Sequence, residues 1–148
     1  MNEVQIDTVC QVLASERTDQ IVFSALDYFI PNRIELSPEY ASDPNGKPFP
    51  NELEMVRYFA DHKNLSQTFY WSESARSLDK LTIGADFTSD GRLIITITLD
   101  GTEAVADKYL LKLKSFLDSE CGFISFGVPG NYVTAEDFAN LNAEVNVS

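Results

Sequence analysis

The sequence predicts an α+β domain, an antiparallel sheet of three to five strands with helices packed mainly on one face. Three observations predict it. Residues 80–101, "KLTIGADFTSDGRLIITITLDG", alternate apolar and polar positions on either side of a turn, as strands with one buried side do. Residues 102–118 carry Ala106, Tyr109, Leu110, Leu113 and Leu117 at helical spacing, an apolar stripe that can cover that side. A chain of 148 residues with 44% apolar and 11% aromatic residues has the size and composition of one globular domain, burying about two thirds of its surface on folding.

Residues 1–64 read as mainly helical. Ile6, Val9, Cys10 and Leu13 fall at i, i+3, i+4 and i+7 and predict a helix over residues 5–14. Thr18 is the expected N-cap of a second helix running to Ile30, with Val22, Ala25, Leu26, Phe29 and Ile30 on one face. Pro31 ends it, because the residue before a proline avoids helical geometry. Five of the six prolines fall in residues 31–50, a long connection with a turn signal in "DPNG". Ile34 and Leu36 are candidates for a short strand within it. Connections of this length either carry function or only cross between layers. Asn51, with Glu54 three residues on, is the expected cap of a third helix. That helix is expected to bury Leu53, Val56 and either Phe59 or Tyr58, and to fade by Asn64.

Residues 67–128 hold the sheet and its covering helix. "QTFYWSES", residues 67–74, is the first strand, rich in strand formers. In the next, Leu81, Ile83, Ala85 and Phe87 oppose Thr82, Gly84, Asp86 and Thr88. After "SDG", with Gly91 free to take a positive φ, Leu93, Ile95, Ile97 and Leu99 oppose Ile94, Thr96 and Thr98. The apolar set is expected under the 102–118 helix, which Asp100 or Thr102 caps. Its acids lie toward the positive end of the helix dipole, and Lys108, Lys112 and Lys114 lie further along. "CGFISFGVP" is the last strand. Thr134 with Asp137 starts a short C-terminal helix over residues 134–143.

The charge is the outlier. There are 23 acids against 11 bases, a net charge of −12, and no Lys or Arg follows Lys114. Such a surface repels a phosphate backbone, which argues against sequence-general nucleic-acid binding, and it either steers a cationic partner or only keeps the protein soluble. The N-terminus lacks the basic start and apolar core of a secretion signal. No apolar run approaches the ~20 residues of a membrane span, so a cytoplasmic protein without membrane contact is expected. Two cysteines, Cys10 and Cys121, make no disulfide framework and read as reduced, buried packing residues.

The residues do not assemble a catalytic motif. The one histidine, His62, sits near an expected helix end with no nucleophile pattern around it. Cys10, His62 and Cys121 lack zinc-ligand spacing, and the phosphate-cradling glycine loops are missing. Asp100, Glu103 and Asp107 share a helical face that a hard cation could use, but the helix dipole already accounts for acids there. No catalytic residue, cofactor or metal is therefore expected, nor an enzyme. Two features remain for binding. A strand over Phe69, Tyr70 and Trp71 sends Tyr70 to one face and its neighbours to the other, as core or as interface anchors. The threonine face of the hairpin is either solvated sheet or a polar docking surface ringed by Asp86, Asp90 and Asp100.

In this profile of small size, strong acidity and no catalytic set, the chain resembles bacterial toxin-immunity proteins. The resemblance covers the general make-up of the whole chain and transfers no site residue. It implies stoichiometric blockade of a basic toxin, without turnover. The charge pattern then places partner contacts on Asp86, Asp90 and Asp100, with Tyr70 and Trp71 as anchors and the 31–50 connection as the competing surface. The alternative is a small-molecule-binding or enzymatic domain with a pocket between sheet and helices. A third reading is an inhibitor that mimics the charge of DNA.

Overall fold

The computed structural model describes residues 7–73, 81–126 and 132–147. Its elements are β1 (Asp7–Leu13), α1 (Asp19–Phe29), α2 (Glu52–Asp61), β2 (Gln67–Ser72), β3 (Thr82–Phe87), β4 (Leu93–Asp100), α3 (Glu103–Leu117), β5 (Gly122–Phe126) and α4 (Ala135–Val147). The strands form one antiparallel sheet in the order β2-β3-β4-β1-β5. Ile6, Ser74 and residues 127–129, which belong to expected elements, lie outside the described residues.

The first expected helix is instead a strand. β1 lies between β4 and β5, with Cys10 opposite Ile97 on one side and Ile124 on the other. It is covered on both faces, and Thr8 through Leu13 are all buried. A strand buried on both sides loses the alternation that identifies half-buried strands, so its apolar run also fits a helical stripe. Because β4 and β5 both run antiparallel to β1, they are parallel to each other, and α3 must cross over β1 to join them. The helix therefore packs along β1 and β5, with the Cys10 Sγ 3.4 Å from the Ala106 carbonyl, and not squarely over β4.

The inner face of the sheet is apolar from edge to edge. One row across it runs Trp71, Ile83, Ile97, Cys10 and Ile124. Against it pack Val22, Leu26 and Ile30 of α1 and its cap, Met55, Val56 and Phe59 of α2, and Ala106, Leu113 and Leu117 of α3. Each large side chain buried here contributes about 1.5–3 kcal/mol. Among the described residues, α4 is the helix on the outer face, over a second cluster of Leu13, Ile94, Phe123 and Phe138.

Helix starts follow local chemistry. Thr18 Oγ1 accepts the Ile21 N–H at 3.1 Å, Asn51 Oδ1 that of Glu54 at 2.8 Å, and Thr102 Oγ1 that of Val105 at 3.4 Å. Thr134 and Asp137 exchange bonds of 3.2 and 3.3 Å. Gly91 takes φ 83° in the hairpin turn. Helix α2 buries Val56 and Phe59 as expected but not Leu53. Glu52, Met55, Val56, Phe59 and Ala60 face inward and Leu53 is exposed. Glu52 takes an inward position instead, where its Oε2 accepts both the Trp71 indole N–H at 3.0 Å and the Leu36 N–H at 2.6 Å. In the 31–50 connection the expected strand reduces to one bridge between Arg33 and Glu73.

Arg17 holds the layers together. Its guanidinium donates to the carbonyls of Phe59, Ala60, His62 and Leu65 at the end of α2, and of Thr88 and Arg92 in the hairpin. One side chain thus supplies donors to the C-terminal end of a helix and to a turn that sequence separates by decades of residues.

Candidate functional site

The outer face of β2 and β3 brings together two of the expected partner residues, Tyr70 and Asp86. Strand register sets its rows. Thr68 lies opposite Asp86 and then Ile94, Tyr70 opposite Gly84 and then Thr96, and Ser72 opposite Thr82 and then Thr98. The Phe123 and Phe138 rings stack at 4.9 Å where α4 meets β5. Toward β2 the face is polar and open: Ser72 is exposed and Thr68, Thr82 and Thr98 are half-buried.

Between the covered and open halves runs a hydrogen-bonded chain. Asp86 accepts from Thr68 Oγ1 and from Tyr132 Oη, both at 2.9 Å. Gln11 Nε2 donates to Tyr132 Oη at 3.2 Å and to Thr96 Oγ1 at 3.4 Å. Burial, reinforced by the Asp86 charge, pushes the Tyr132 phenol far above its ordinary pKa. Burial also raises the Tyr70 phenol, with Asp86 and Tyr40 adding to it. Both hydroxyls keep their protons at neutral pH, that of Tyr132 committed to Asp86, so this face carries a tyrosine hydroxyl, an acidic side chain and an aromatic ring.

Tyr70 is 47% exposed. Its ring reaches over Gly84, where an added Cβ would stand 2.9 Å from Tyr70 Cε1 and 3.4 Å from Thr96 Cβ. The absence of a side chain at Gly84 is what lets the ring approach the sheet there.

The other expected contacts are dispersed. Trp71 points inward and is fully buried, in contact with Phe69 and Phe23, so it is core and not a surface anchor. The strand alternation that exposes Tyr70 is the cause. Asp90 caps α4, accepting the N–H groups of Ala135 and Glu136 and the Thr88 hydroxyl. Asp100 is exposed at the far end of β4, six residues beyond Ile94, the partner of Asp86. The three acids therefore do not form one ring around the hairpin. Tyr132, Gln11 and Thr68 joined the site unannounced by sequence. The Gln11 to Tyr132 bond spans 121 positions and no local motif marks either residue.

His62 and the two cysteines lie apart from this face. His62 caps the end of α2, exposed and stacked on Tyr58 at 3.9 Å. Cys10 is buried, and Cys121, contrary to expectation, is only half-buried. Among the described residues no group of His, Cys, Asp and Glu is placed to hold a metal ion, and no helix is long and apolar enough to cross a membrane. The layer between sheet and helices is filled by Trp71, Phe69, Phe87, Met55 and Leu26. A surface groove of about 360 Å³ lies elsewhere, lined by Tyr28, Leu111, Lys112, Ser115 and Phe116. In comparisons with known proteins, no family model matches the chain, and no curated protein or solved structure matches it significantly.

Proposed function

We propose that the chain is a non-catalytic, cytoplasmic acidic binding protein that neutralises a basic protein, of toxin type, by stoichiometric binding. The observation that carries this reading is the outer face of β2 and β3. In a chain of net charge −12, it presents a half-exposed tyrosine beside a carboxylate on regular strands. Charge of that size steers a cationic partner toward the protein, and a fixed aromatic side chain supplies the short-range contact that slows its departure.

The test is recovery of a partner with the tagged protein, followed by association kinetics across a salt series and co-expression of the pair. The reading expects a basic partner bound one to one and a growth defect of that partner relieved by this chain. It also expects an association rate that falls steeply with salt while dissociation changes little. An acidic partner, or association indifferent to salt, would overturn it. A bound metabolite with turnover and no protein partner would establish the enzymatic alternative.

A further inference from the structure

We infer that Tyr70, Gly84 and Asp86 form a guanidinium slot, which takes one arginine side chain of the basic partner. The inference rests on the function proposed above and specifies its contact. Asp86 and Tyr70 are diagonal neighbours on one face, because Asp86 is two residues from Gly84, the register partner of Tyr70. The Asp86 carboxylate has about four lone-pair sites, and Thr68 and Tyr132 fill two. It forms no ion pair with a described residue. Among the described residues, ion pairs join Arg33 to Asp27, and Arg57 to Asp19 and Glu54. Arg17, the buried cation that feels the charge of Asp86, spends its donors on six backbone carbonyls. The carboxylate is thus oriented by two hydroxyls and, among the described residues, has no direct ion-pair partner.

The ring beside it selects the cation. Tyr70 is seated over Gly84 at one edge and 47% exposed elsewhere. A planar guanidinium can lie on an aromatic ring and direct its N–H groups sideways to a carboxylate at the same time. A lysine ammonium is a point charge with a heavier hydration shell and gains less from the pair. The slot is therefore specific for arginine over lysine.

The experiment compares fluorescent oligo-arginine and oligo-lysine peptides of equal length, titrated by anisotropy at low salt against the full chain. We expect the arginine peptide to bind about tenfold tighter. Tyr70→Ala and Asp86→Asn should each collapse that preference. Tyr70→Leu, which keeps an apolar cover over Gly84, should do the same if Tyr70→Ala proves unstable. Asp100→Asn should weaken both peptides alike and keep the ratio. Equal binding of the two peptides by the unaltered chain would overturn the slot and leave the acidic-binder reading intact. Binding of neither peptide at low salt would overturn both.

Discussion

The Asp90 carboxylate accepts the backbone N–H of Ala135 at 3.0 Å, so the turn of the β3–β4 hairpin caps a helix 45 residues further on. A second bond, to the Glu136 N–H at 3.1 Å, makes the cap bidentate. An acid that charge alone would assign to partner steering is thereby committed to the fold.

Loss of this cap should cost stability that depends on pH. Partial burial by itself raises the Asp90 pKa, but the hydrogen bonds from Thr88, Ala135 and Glu136 outweigh it and the net shift is downward. A carboxylate depressed in the folded state stabilises above its unfolded pKa, about 3.9, and that stability is lost as pH falls through the lower folded value. Asp90→Ala should therefore cost about 1–2 kcal/mol in urea denaturation at pH 7. The gap from wild type should narrow below pH 4. A gap unchanged at pH 3 would show that the charge of Asp90 contributes nothing.

Ile97 and Thr98 are adjacent in β4 and differ in fate. Ile97 is fully buried in the main core and Thr98 is half-buried on the outer face. Ile97→Asp should destabilise by about 4 kcal/mol or more, because it places an unpaired charge in the core. Thr98→Asp should leave a cooperative thermal transition near that of wild type. Equal losses in a pair of melting curves would reverse the assignment of faces.

Arg17→Ala should cost about 3–5 kcal/mol, because it strips the donors from six carbonyls gathered around one buried guanidinium. Arg17→Lys should recover only part of this, since an ammonium has three donors. Hydrogen exchange should show the end of α2 and the β3–β4 turn loosening together in both variants.

The two thiols should separate by reactivity. Burial, with Asp107 adding to it, pushes Cys10 up to about 12, whereas half-buried Cys121 is raised mainly by burial and eased back by Arg92 and Lys114. A thiol reagent at pH 8 should label Cys121 slowly in the native protein and Cys10 only in denaturant. Native-state labelling of Cys10 would mean that β1 is not held between β4 and β5.

The sequence by itself determined the features whose partners lie within a few residues. Thr18, Asn51, Thr102 and Thr134 each cap a helix through an N–H three residues on, and Leu93, Ile95, Ile97 and Leu99 recur at every second position as the inner face of a strand must. Tertiary structure decided what depends on distant residues. Residues 7–13 are a strand because β4 and β5 close on them from sequence positions more than 80 residues away, and burial on both faces removes the pattern that would announce it. Glu52 faces inward because Trp71 and Leu36 need its carboxylate, which no helical periodicity encodes. In the same way Asp86, Tyr132 and Gln11 come together, and Asp90 is drawn away to α4, because hydrogen-bond satisfaction is settled among side chains that only the closed sheet makes neighbours.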